Sequence, residues 1–190
     1  MANENKVQFN LRNCHYAKML TSTPSETTYD TPVAVPGAVS LALAQVGEIK
    51  KFYADGIVYW QGSSNGGYDG DLEMARIPNQ MMVDIWGMTM VETANVLLEN
   101  ANDKASSFAW LFEIDGDEDE QLYVLYNCTA SRPSIDAKTN EETKEPQTQK
   151  LKFSAAALPN GDIKASTTPT TSSPVRTGWF KSVWQKSQAA

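Results

Sequence analysis

The chain has 190 residues and a formal charge of −7, from 16 Lys and Arg against 23 Asp and Glu. With 41% apolar residues, five Trp, seven Tyr and six Phe, it can bury the core of one sizeable domain and is too apolar for a disordered chain. The acidic balance argues against a protein that grips nucleic acid by neutralising phosphates, and no apolar run approaches the roughly eighteen residues of a membrane span.

The N-terminal MANENKVQFN holds no apolar run of the kind a signal peptide needs. Val7, Phe9 and Leu11 then alternate with Gln8 and Asn10, the period-two pattern of a half-buried strand. Thr21 to Pro32 is rich in Thr, Ser and Pro and reads as a loop. Val33 to Val46 predicts one strand, with Val39, Leu41 and Leu43 on one face and Ser40, Ala42 and Ala44 on the other. The second face is small and weakly polar, which suits close packing against another chain or a lumen. Asp55-Gly56 stands between two aromatic and β-branched runs and predicts a tight hairpin, because both central residues of such a turn need positive φ.

Ser63 to Gly70 carries three glycines among polar residues and predicts irregular chain. It lacks both the Gly-Lys-Ser/Thr ending and the GxGxxG spacing of a phosphate cradle. Leu72 and Met74 continue as a strand. Pro78 suits a helix start, and Met82, Ile85 and Trp86 place a stripe on a helix over Asn79 to Trp86, with Gly87 as its stop. Val91 to Asn100 fits a helix or a strand about equally.

Phe108 to Ile114 is too apolar for a one-sided strand and predicts a central one, as does Leu122 to Cys128. Asp115 to Glu120 between them is a hairpin tip. Phe153 to Leu158, the Pro159-Asn160-Gly161 turn and Asp162 to Ser166 predict a further hairpin. The pattern is that of a mainly β protein, a β-sandwich or open barrel with one short flanking α-helix.

The predicted organisation is a β domain over 1–166, a Thr/Ser/Pro linker over 167–174, and an aromatic, basic arm over 175–190. A projecting loop over 132–150 carries Arg132, Lys138, Lys144 and Lys150 against Asp136, Glu141, Glu142 and Glu145, and so long a loop needs a function or is disordered. On a helical arm Trp179, Phe180, Val183 and Trp184 share one face. That face, flanked by Arg176, Lys181 and Lys186, is expected to dock on an adjacent subunit in preference to its own body.

No residue set commends itself for catalysis, cofactor or metal. Asp115, Asp117 and Asp119 open like a calcium loop, but Glu120 and Tyr126 occupy the positions that need Gly and Glu. His15 and Cys14 are adjacent in a strand and point to opposite faces. Cys14 and Cys128 have no redox or metal spacing, and Asn127-Cys128-Thr129 matches a glycosylation acceptor only by chance inside an apolar strand.

GGYDGDLEMARIP (Gly66 to Pro78), LYVLYNCTASRPS (Leu122 to Ser134), KEPQT (Lys144 to Thr148) and WFKSVW (Trp179 to Trp184), in this order and spacing, resemble the major tail (tail tube) proteins of long-tailed, siphovirus-type bacteriophages. The resemblance implies a β-sandwich with a flanking helix, assembled as hexameric rings that stack into a hollow tube. The inner sheets of neighbours would join into a continuous barrel, a conduit for genome delivery. The implied partners are further copies of the chain, a tape-measure protein in the lumen, and terminator and distal tail proteins at the ends. DNA would pass without specific binding, no membrane is involved, and the place is the virion tail, assembled in the host cytoplasm. Candidate subunit-interface residues are Gly66, Gly67, Tyr68 and Asp69, then Arg132, Ser134, Lys144 and Glu145, then Trp179, Phe180, Val183 and Trp184. The alternative is an immunoglobulin-like β-sandwich serving as a binding, adhesion or virion-decorating module.

Overall fold

The computed structural model describes residues 4–139 and 145–186. In chain order the elements are β1 Gln8–Ser22, β2 Thr27–Tyr29, β3 Val33–Ala34, β4 Ala38–Val46, β5 Ile49–Ala54, β6 Ile57–Ser63 and β7 Gly67–Met74. Then come α1 Asn79–Trp86, β8 Thr89–Val91, β9 Val96–Leu98, β10 Phe108–Gly116, β11 Gln121–Ala130, β12 Gln149–Ala156, β13 Lys164–Ser166 and α2 Ser173–Gly178. The protein is mainly β, built on one large antiparallel sheet with two short helices. The path through that sheet is β2-β1-β10-β11-β12-β7-β4, with β3 also on β1 and β13 also on β11.

The centre is β1, β10 and β11, and its strands obey the period of two on both faces. Phe108, Trp110 and Phe112 enter one apolar cluster while Ala109 and Leu111 enter a second on the opposite side. That double burial explains the unbroken apolar run of β10. The first cluster is closed by α1, whose Met81, Ile85 and Trp86 are buried with Tyr16 and Met74. The expected stripe is therefore shifted: Met81 takes the inner position and Met82 only packs alongside. Pro78 is the N-cap, and Gly87 closes the helix at φ 72°, a left-handed C-cap bonded back to Met82 and Val83. The Trp86 indole N–H reaches the carbonyls of Ala130 and Ser131 at 3.2 and 3.0 Å and ties α1 to the end of β11.

Several expectations are corrected. The predicted strand over Val33 to Val46 breaks at Pro36-Gly37 into β3 and β4. A register shift between Ala38 and Ser40 turns Val39 outward, so Ala38, Leu41 and Leu43 pack on the core. Ser63 to Gly70 is not irregular throughout: β7 begins at Gly67, because a two-sided ladder with β4 and β12 captures that polar segment. Val91 to Asn100 resolves as part of a small β8–β9 hairpin, turned at Asn95 with φ 51°.

Of the hairpin expected from Phe153 to Ser166 the turn forms, with the Leu158 N–H on the Asp162 carbonyl at 2.8 Å, but the two arms do not pair with each other. β12 runs along β7 from Gln149 to Ala155 and meets β11 only through Phe153 to Ala156, against Asn127 to Ala130, while β13 takes the same edge of β11 further on, at Tyr123 to Leu125. One strand thus serves two neighbours on the same edge, which splits the sheet so that it folds over the first cluster. A second helix, α2, straddles the expected boundary between linker and arm and ends at Gly178, before the aromatic residues expected to lie on a helix.

Candidate functional site

From Ala38 to Met74 the chain is one long antiparallel ribbon. Its base, β4 with β7, lies in the main sheet. Its outer half, β5 with β6, forms a sheet of its own. The joint between the halves is held by Ser64 N–H to Glu48 O at 3.0 Å and Gly66 N–H to Val46 O at 2.6 Å. The tip is Asp55-Gly56 at φ 51° and 75°, both positive as the tight turn requires. Six residues of strand at about 3.4 Å each carry that tip roughly 20 Å beyond the joint.

Ile49, Phe52, Tyr53, Ile57, Val58, Tyr59 and Trp60 on this outer ribbon are each 43–69% exposed, seven of the sixteen large exposed apolar residues among those described. None of them belongs to either core cluster. Cross-strand pairing puts Phe52 opposite Trp60 and Ala54 opposite Ile57 on one face, and Tyr53 opposite Val58 on the other. Monomers rarely leave an apolar patch of this extent uncovered.

β4 is the terminal strand on its side of the sheet and has a partner on one edge only among the described residues. Its sequence, AVSLALAQV, contains no charge and no Pro, the usual protections of an open edge. Its outward residues Ser40, Ala42 and Ala44 are small and exposed, so another backbone could approach closely. Beside them run Asp69, Asp71 and Glu73 of β7, paired in register with Ala44, Ala42 and Ser40. The Glu73 carboxyl is held below its ordinary value, first by the Thr148 hydroxyl hydrogen bond and further by Lys150 and Ser40.

The first expected interface group lies at the joint and in β7. Gly66 makes the joint hydrogen bond just described, and a side chain on Gly67 would place its Cβ 2.0 Å from the Ala155 carbonyl oxygen at φ 102°. Tyr68 receives a hydrogen bond from Lys164 Nζ at 3.1 Å, and Asp69 is exposed. Gly66 and Gly67 serve the close packing of this chain's own strands.

The second group spans the loop. Arg132 pairs with Glu99 at 2.6 Å, and Ser134 N–H meets Lys150 O at 3.3 Å. Glu145 is exposed, and Lys144 lies outside the described residues. Further out the loop is pinned by Gln147, whose side chain bonds both the N–H and the carbonyl of Lys138. Ile135 is 90% exposed within it.

The third group corrects the expectation for the arm. Trp179 and Val183 are buried in the second cluster of their own chain, against Leu111, Leu122, Val124 and Leu158, with Phe180 and Trp184 packed at its border. Phe180 stacks on His15 at 4.6 Å and Trp184 on Trp179 at 6.1 Å. These four residues follow α2 and do not ride on it, since α2 ends at Gly178. The reason is the second face of the β1-β10-β11 sheet, which needed a cover that the arm supplies. The linker is also less free than expected: Thr167 is buried, exchanging bonds with Leu122, and Thr168 to Thr171 form a turn.

The acidic run over Glu113 to Glu120, from the end of β10 into the turn, is met by two arginines of the same chain. Arg12 lies 2.6 Å from Glu113 and 2.8 Å from Asp115, and Arg176 lies 2.7 Å from Asp119. The thiols of Cys14 and Cys128 are buried and pushed up by loss of solvent, Cys14 to about 12.

The apolar residues of β5 and β6 do not stand out as a site in the sequence. The signal they do carry is that FYA (Phe52 to Ala54) and IVYW (Ile57 to Trp60) are apolar at consecutive positions, so whichever face is covered the other stays apolar. Comparison with models of known protein families gives no match, and comparison with curated proteins gives none.

Proposed function

We propose that this chain is a structural subunit that assembles with copies of itself, edge to edge into rings and ring upon ring into a tube, as a bacteriophage tail tube protein does. The observation that carries the reading is the continuity of the uncharged open edge of β4 with the apolar ribbon beyond it, two surfaces that a solitary monomer would leave wet. Pairing that edge with another copy removes the hazard it presents, and a head-to-tail contact that closes by rotation makes a ring. The sequence resemblance supplies the tail identity, and with it the tape-measure, terminator and distal tail proteins as partners. Asp69, Asp71 and Glu73 beside the edge outnumber Lys150 and Lys152, which pair with two of them from β12, and that balance agrees with a surface past which DNA slides without holding. The virion tail is then the place of action.

The aromatic ribbon also favours a second reading, a β-sandwich module that presents Phe52, Tyr53, Tyr59 and Trp60 to a foreign ligand. Negative-stain electron microscopy of the purified chain separates the two. Rings or tubes of uniform diameter are expected from the subunit, and discrete monomers at every concentration would favour the module.

A further inference from the structure

The two-stranded ribbon β5–β6 is apolar on both of its faces. One face carries Phe52, Trp60 and Ile57, with the Trp60 ring lying over Gly62, where a Cβ would come within 2.4 Å of it. The other carries Ile49, Tyr53 and Val58, and Tyr59 is the extra residue of the bulge between them. The seven exposed apolar side chains present roughly 800 Å², taking about 200 Å² for each and the exposures given above. That is about one partner's share of a stable interface, and it exceeds the few hundred Å² a monomer commonly leaves open. It is divided between opposite sides of a slab one strand layer thick, so a single flat partner could cover only about half. The charges near it cancel, Lys50 and Lys51 against Glu48 and Asp55, which leaves no electrostatic preference for a charged polymer.

Resting on the assembly reading above, we propose that each ribbon is inserted between two other copies of this chain, one covering the Phe52–Trp60 face and another the Tyr53–Val58 face. The ribbon is then a three-body contact that joins subunits which need not touch each other directly. Phe52 and Trp60 determine binding on one side, Tyr53 and Val58 on the other.

The test uses the full chain with a photo-crosslinking phenylalanine analogue at position 52, at position 53, or at both, diluted into a large excess of unsubstituted chain. Neither side chain packs on the body of its own chain, so folding is not at stake. After assembly and irradiation, each single substitution should give covalent dimers, mapped by mass spectrometry to different segments of the acceptor. The double substitution should add covalent trimers. Radical footprinting of the unsubstituted chain should show both faces protected on assembly. Tubes or rings with dimers alone from the double substitution, or with one face unprotected, would overturn the two-sided insertion while leaving self-assembly intact. A chain that never assembles and stays labelled on both faces would overturn both readings. Sedimentation of the chain with phosphatidylcholine vesicles, without chain-to-chain crosslinks, would overturn the inference in favour of a lipid surface.

Discussion

Arg176 Nη2 lies 2.7 Å from Asp119 Oδ1 and 2.6 Å from the Glu120 carbonyl, which clamps the C-terminal arm to the acidic turn between β10 and β11. The cation-to-acid attraction anticipated between arm and body is thus satisfied within one chain. The pair is partly exposed, so screening keeps its contribution near 1 kcal/mol. Arg176→Ala is expected to lower the melting temperature by a few degrees and to speed proteolysis between Thr168 and Trp179. An unchanged digestion pattern would show that the apolar contacts alone hold the arm.

Those apolar contacts hold the arm more strongly than the ion pair does. Trp179 is 3% exposed and donates its indole N–H to the Tyr123 carbonyl at 3.3 Å. Trp179→Ala removes a buried aromatic and leaves a cavity over Leu111 and Val124, a loss of about 3–5 kcal/mol. Chemical denaturation of the variant should show the midpoint falling with little change in slope. If the loss is within about 0.5 kcal/mol, as for a surface position, the arm does not belong to the monomer's core.

Gly67 tests the ladder that seats the ribbon's base. A methyl there meets the Ala155 carbonyl and also demands a left-handed φ, so Gly67→Ala should destabilise by about 1–3 kcal/mol through strain. Circular dichroism melts would register this as a lowered midpoint. A neutral result would mean that β12 can step away from β7 at no cost.

Much of this architecture is legible from local chemistry. The Asp55-Gly56 turn, the α1 boundaries and the central position of β10 follow from turn residues, helix punctuation and an apolar run. What escapes are long-range choices. A Pro-Asn-Gly turn joining two strand-like runs predicts a β12–β13 hairpin, yet β11 has a vacant edge at Tyr123 to Leu125 and captures β13. The arm's aromatic face is readable, but its acceptor is not: Ala17, Ala109, Leu111 and Val124 come from three separated strands, and only their juxtaposition makes a surface in need of cover. The ribbon's exposure escapes because an apolar hairpin in sequence resembles one that packs on its own core.

Both thiols should be silent in the folded chain. At pH 8 a disulfide-exchange reagent is expected to titrate no cysteine in native buffer and two in denaturant. Burial raises the folded Cys14 value to about 12, whereas the unfolded thiol ionises near 8.5. The stabilising preference for the neutral thiol is complete below about pH 8.5 and declines as pH rises towards the folded value, by up to about 1.4 kcal/mol per unit. Melting temperature should therefore fall on the alkaline side. Rapid labelling in native buffer would contradict the packing around β1 and β11.

The central claim is that the open β4 edge and the apolar ribbon drive self-association, and sedimentation velocity over a concentration series tests it most directly. Because the ribbon is neutral and copies of a −7 chain repel, raising salt from about 0.05 to about 0.5 M should leave association unchanged or strengthen it. The account predicts a concentration-dependent shift from monomer to large, regular species, abolished by the paired change Phe52→Ser with Trp60→Ser while the monomer's melting temperature is unaltered. A chain that sediments as a monomer at all concentrations, or a paired variant that assembles as well as the parent, would contradict it.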